Sequence, residues 1–278
     1  MDIYRRRKIV NVFNLSVSVL TTLFGLFFLF WLLWVLFSKG LSHLNLDLFA
    51  LDMPGPGSET GGLRNAIVGS LLLTGVGVAI GAPIGVLAGT YLAEFGRYAW
   101  VSTPVRFIND VLLSAPSIVI GVFVYEIMVV PMGNFSGWSG GVALAIIVIP
   151  VVVRTTEDMM RLVPDTLREA AAALGAPQWR VVVDVVLKAS LSGIMTGILL
   201  AVARIAGETA PLLFTALNNQ FFTLDMDQPM GNLPVTIFNF AMGPYDNWHD
   251  LAWAGSLLIT LAVLTLNIMT RIFLRTKK

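Results

Sequence analysis

The sequence predicts an all-α integral membrane fold of about six helices, and three observations carry that expectation. The 278 residues are 56% hydrophobic and only 13% charged, with a mean hydropathy of +0.80, whereas a soluble domain has about 25% charged residues. Apolar runs near the ~20 residues needed to cross about 30 Å of hydrocarbon recur six times along the chain. The basic residues also fall almost entirely in alternate connecting segments.

The first apolar run, 13–37, follows Arg5, Arg6, Arg7 and Lys8. It exceeds the roughly 7–15 residue core of a signal peptide and has no small-x-small cleavage site, so a retained helix is expected. Further spans are expected at 66–92, 107–130, 138–153, 191–214 and 251–272, all within one membrane domain, 1–278. The fourth is short, and Pro150 lies near its end. Polar stretches at 47–62 and 218–250 connect spans on one side, and a charged segment, 154–190, connects them on the other.

With this assignment, fifteen of the eighteen basic residues share one side. They are the N-terminal four, then Arg97, Arg106, Arg154, Arg161, Arg168, Arg180, Lys188, Arg271, Arg275, Lys277 and Lys278. Lys39 and Arg64 fall on the other side, and Arg204 falls inside a span. Positive-inside bias then places both termini in the cytoplasm. In the second span, Gly77, Gly81, Gly85 and Gly89 recur every four residues and leave one face bare. Such a face admits close helix approach, either within the subunit or at an interface or pathway wall.

In the long loop, Thr166 and Glu169 have capping-box spacing ahead of Ala170, Ala171, Ala172 and Ala173. Gly175 is placed to end that helix in a left-handed conformation, and Pro177 to open the next. Trp179, Val182, Val183 and Val186 then share one helical face, while Arg180, Asp184 and Lys188 line another. The segment reads as a bent helical pair, either docking another protein or lying on the lipid surface.

Arg204 and Glu208 lie in the fifth span, four residues apart and near mid-bilayer. Charges there are costly and mark substrate paths, although an internal ion pair is the structural alternative. The planar guanidinium can donate two parallel hydrogen bonds to a tetrahedral oxyanion. Asp110 and Glu126 lie toward opposite ends of the third span. Arg154 closes the fourth, as a topology anchor or an exit gate.

Several chemistries have no support in the chain. It has no Cys, and His43 and His249 lack partners at metal-ligand spacing, so neither catalytic residues nor a metal nor a cofactor is expected. No Gly-x-x-x-x-Gly-Lys-Ser/Thr cradle for ATP occurs.

Glu169-Ala170-Ala171, Gly175, and then Val185 and Leu187 resemble the EAA loop of ATP-binding cassette importer permeases, with Lys188 where that family usually has proline. The resemblance implies a MetI-like permease fold and an ATPase partner whose groove receives the loop. Arg204-x-x-Gly207-Glu208-Thr209-Ala210-Pro211, the stretch 115–121 and the stretch 228–237 resemble the phosphate-importing branch of that family from about residue 60 onward. That likeness implies a sister permease, two copies of the ATPase and a periplasmic phosphate-binding protein as partners. It also implies a bacterial inner-membrane location and inorganic phosphate as the cargo crossing at Arg204 and Glu208. Other readings are a permease for sulfate or molybdate, an ion-driven transporter or channel, and a membrane scaffold.

Overall fold

The computed structural model describes residues 3–58, 60–96 and 99–275. Arg97, Lys277 and Lys278 of the charge count, and the side chains of Arg271 and Arg275, lie outside the described residues. Among the described residues the fold is helical throughout, without strands.

Helix α1 spans Ile3–Gly40 and displays its aromatic side chains outward, with Phe24, Phe30 and Trp34 all exposed. Only its far end packs. Gly40 lies against Leu257, and Lys39 Nζ sits 5.1 Å over the Trp253 ring. Helix α2 covers Arg64–Thr90 and continues through a π-helical turn, Tyr91–Phe95.

The third apolar run departs from the expected single span, 107–130. It forms two helices, α3 (Ser102–Ser114) and α4 (Ser117–Met132), bent by 104°. Proline restricts the residue before it to extended backbone, and Ala115 accordingly has ψ 134° ahead of Pro116. A hydropathy average runs over this break.

Helix α5, Gly137–Arg161, is longer than the expected 138–153, with Pro150 inside it. It absorbs the start of the presumed loop, 154–161. Arg154 therefore sits seven residues inside the helix and does not close it. Helix α6 is Asp165–Ala173, and α7 runs from Gln178 to Ile205 through a π segment, Val181–Leu187. Helices α8 (Ala210–Thr215), α9 (Leu233–Ala241) and α10 (Asp246–Arg275) complete the chain.

The glycine stripe of α2 packs inside the subunit. Side chains added at Gly77, Gly81, Gly85 and Gly89 would meet Leu144, Val148, Val152 and Thr156 of α5 at 2.6–2.8 Å. Both ladders advance by four residues together, so α2 and α5 run parallel and in register. Their join opens onto a core of Leu73, Leu144, Val148, Ala201, Ile205 and Leu212. Without an aqueous driving force between helices, this close van der Waals fit is what holds the pair.

Candidate functional site: a break in α7 and a charged helical joint

Helix α7 packs antiparallel to α5 through two more glycines. Gly193 faces Met159 and Gly197 faces Thr155. Continuing that register places Arg204 level with Val148, near the middle of Gly137–Arg161. Arg204 lies in the last turn of α7, and the helix stops one residue later. Glu208 sits beyond the helix, in the turn before α8, and not on a shared helical face. Arg204 Nε stands 3.8 Å from Glu208 Oε1, with the arginine side chain 42% exposed and the glutamate 17%. This is a loose contact, longer than a hydrogen bond.

The two broken helices meet here. A side chain at Gly121, one turn into α4, would strike Pro211 Cα at 2.6 Å in the first turn of α8. Ile120 and Ile205 share the same core. Non-helical backbone at membrane depth is tolerated where protein buries it or where it borders a cavity. The third matched stretch, 228–237, braces the fold and adds Met230 and Val235 to the same core. Asn232 caps α9 by accepting from Val235 N at 3.1 Å, and Leu233 N donates to Ser70 Oγ at 2.7 Å.

Arg154 donates to Asp158 Oδ2 at 3.1 Å and lies 3.6 Å from Asp110 Oδ1, with all three side chains about half exposed. It faces α3 about one turn from Glu157, a far more buried carboxylate that the sequence reading did not single out. Glu157 receives Arg106 at 2.8 Å and Arg161 at 2.6 Å, and its side chain is 4% exposed. Asn109 donates to the Pro150 carbonyl at 3.3 Å, tying α3 to the middle of α5.

At the same end, the loop forms a different joint from the one expected. The capping box is not made, because the helix starts at Asp165 with Pro164 as its N-cap. Thr166 is already helical and cannot take the capping geometry. Asp165 pairs instead with Arg168 at 3.1 Å. The glycine stop does form. Gly175 has φ +81°, Ala176 N donates to Ala171 O, and Gly175 N donates to Ala172 O, which closes a Schellman turn.

Downstream, Val181, Val182 and Val186 are buried, while Trp179 and Val183 face out. The expected apolar face assumed 3.6 residues per turn, and the wider π turn rotates it. Lys188 Nζ reaches Asp184 Oδ1 at 2.8 Å, and the helix continues unbroken where proline would have interrupted it. Glu169 and Ala170 are exposed, in company with Leu162, Leu167, Leu174 and Trp179. Ala171 is half-buried against the valine cluster.

Arg168 anchors this joint. Its Nη2 and Nε donate to Glu94 Oε1 and Oε2 at 2.6 and 3.2 Å, and Nη2 also donates to Met160 O at 2.9 Å. The hydrogen bond that Arg168 donates to Glu94 holds the guanidinium pKa above its usual value, against the opposing effect of burial. One cavity is remote from all of these residues. About 750 Å³ in volume, it lies between α1 and α10 and brings together His43, His249 and Asp250, although His43 and His249 are distant in sequence. His43 Nε2 is 3.3 Å from Asp250 Oδ1.

These spans, breaks and charged joint are those of a membrane-embedded transport component. Residues 81–276 match the family described as binding-protein-dependent transport system inner membrane component, and the chain belongs to that family, as a multi-pass protein of the cytoplasmic membrane. Within it, the chain is 58% identical over 267 residues to the phosphate transport system permease protein PstA of Pasteurella multocida (strain Pm70), covering 96% of this chain and 95% of that one. The PstA protein of Yersinia pestis is 57% identical over 275 residues, 99% of this chain and 92% of its own length. Among solved structures, the inward-facing MetNI methionine ABC transporter aligns with a TM-score of 0.61 at 20% identity, over 76% of this chain and 92% of that chain. That likeness establishes the MetI-like permease fold.

Proposed function

We propose that this chain is a permease half of an ATP-driven phosphate importer, with the Arg204 and Glu208 break as its transient phosphate site. The observation that carries the proposal is Arg204 itself, a half-exposed guanidinium at mid-height where α7 breaks beside α8. A charge at that depth is costly and marks a path, and the fork geometry suits a tetrahedral oxyanion. Glu208 offsets the charge and limits how tightly the anion is held. The names of the relatives support phosphate as the cargo.

The charged end of the bundle, with Arg106, Arg161, Arg168, Arg180 and Lys188, is taken as cytoplasmic, and both termini with it. Glu169, Ala170, Ala171 and Gly175 form the coupling element that enters an ATPase subunit, and the exposed Leu174 and Trp179 extend its apolar contact. The assembly would comprise this chain, a sister permease PstC, two copies of the ATPase PstB and the periplasmic phosphate-binding protein PstS. Arg154, between Asp110 and Asp158, is assigned to the gate on the cytoplasmic side of Arg204.

The test is copurification of the complex followed by reconstitution in vesicles. ATP-dependent phosphate uptake is expected. Uptake of sulfate or molybdate in its place, or uptake without ATP, would overturn the assignment.

A further inference from the structure

We propose that the Glu94 and Arg168 pair locks the coupling helix α6 to the α2–α5 pair, so that force applied to α6 moves those helices as one body. This rests on the coupling role proposed above. Among the contacts described, the Arg168 side chain ties α6 to the ends of two other helices, α2 and α5. It donates to Glu94 at the end of α2, to the Met160 carbonyl at the end of α5 and the Val163 carbonyl in the turn after it, and to Asp165 of α6 itself. Both members are largely buried, at 15% and 8% exposure.

A buried ion pair is seldom the cheapest way to stabilise a joint, since an apolar replacement often does as well. A two-oxygen fork does fix orientation, because both hydrogen bonds are lost if either plane rotates. Glu94 also occupies a π turn, and that geometry aims its carboxylate off the regular path of α2. Beyond the lock, the glycine ladder already makes α2 and α5 a single packed unit.

The other flank of α6 is built differently. Between Glu94, Arg168, Ala172, Gln178 and Val181 lies a cavity of about 300 Å³, and the only covalent link to α7 there is the turn at Gly175. Helix α6 is held to α2 and α5 by the polar fork of Arg168, and to the start of α7 by apolar packing of Ala171 against the valine cluster. A push on α6 would pass through the lock to α2 and α5 and, through the packing of α5 on α7 at Gly193 and Gly197, to the surroundings of Arg204. Glu94 and Arg168 are positioning residues in this scheme and touch no cargo.

Two readouts on the purified complex test the lock, using Glu94→Gln and the fork-removing Arg168→Lys. Backbone hydrogen exchange over 165–173 should rise about tenfold in either variant while α2 and α5 keep their protection, as expected for a buried charged partner removed from one joint. In vesicles, phosphate taken up per ATP hydrolysed should fall by a similar factor, with the ATPase still bound. Unchanged exchange over 165–173 would overturn the lock, and so would loss of protection spread through α2 and α5. Unchanged uptake per ATP in a variant with raised exchange would overturn its role in transmission. If the unsubstituted complex takes up no phosphate, the importer reading fails, and the exchange result still decides the lock.

Discussion

Arg204 Nε and Glu208 Oε1 face each other at 3.8 Å across the turn where α7 ends, level with Val148 in the middle of α5. The gap matters because a tight salt bridge would bury the guanidinium in its partner. At this separation the donors of Arg204 are left to engage an anion. Replacing Glu208 with Gln removes the competing charge. The expected outcome is tighter phosphate retention with slower turnover, read as a lower KM and a lower maximal uptake rate in vesicles. Higher KM with an unchanged rate would show that Glu208 acts otherwise.

The α2–α5 ladder predicts a sharp contrast among glycines. At Gly85 an added side chain meets Val152 Cβ at 2.6 Å, whereas at Gly75 nothing lies within 4 Å. Gly85→Leu should destabilise the protein by about 1–3 kcal/mol or more through overpacking, lowering the melting temperature in detergent. Gly75→Leu should leave it unchanged.

Gly175 is constrained by its backbone and not by space. Its φ is +81° and nothing lies within 4 Å of an added Cβ. Gly175→Ala should cost about 1 kcal/mol at the Schellman turn and weaken ATPase copurification. Restoration by Gly175→Asn, which tolerates the left-handed region better, would confirm that the conformation is the cause. Equal binding by all three proteins would contradict it.

The structure also distinguishes two alanines that the sequence treats alike. Ala171 packs against Val181 and Val182, while Ala170 is exposed. Ala170→Trp should therefore block ATPase binding without altering thermal stability, and Ala171→Trp should lower both. A stable Ala170→Trp protein that still binds the ATPase would remove Ala170 from the contact.

Arg154 and its two carboxylates are exposed enough that the pairs contribute little, about 0–1 kcal/mol. Arg154→Ala should accordingly leave the melting temperature unchanged. Any fall in uptake would then report on the path. Normal uptake would reduce Arg154 to an anchor.

The class of fold was legible because hydropathy and basic-residue placement are averages over many residues. What those averages hide is local. The 104° bend at Ala115 and Pro116 sits inside an apolar run, and only the rule for residues before proline signals it. The loop's glycine stop could be read from Gly175 alone, but the face of the following helix could not, because the π turn after Arg180 changes the period. Arg204 and Glu208 stood out as charges in an apolar span. Glu94 and Glu157 did not, although each is more buried than Arg204 and holds an arginine at 2.6 Å. Arg168 and Arg106 lie on other elements from Glu94 and Glu157, and the i,i+4 spacing of Glu157 and Arg161 falls in a stretch that reads as loop once the span is ended at 153.

The most direct test is ATP-dependent uptake of radiolabelled phosphate by vesicles carrying the full complex with Arg204→Ala. With assembly and ATPase content matched to the unsubstituted complex, uptake should fall to the level of vesicles without ATP. Uptake at the unsubstituted rate would contradict the central claim that phosphate crosses at Arg204.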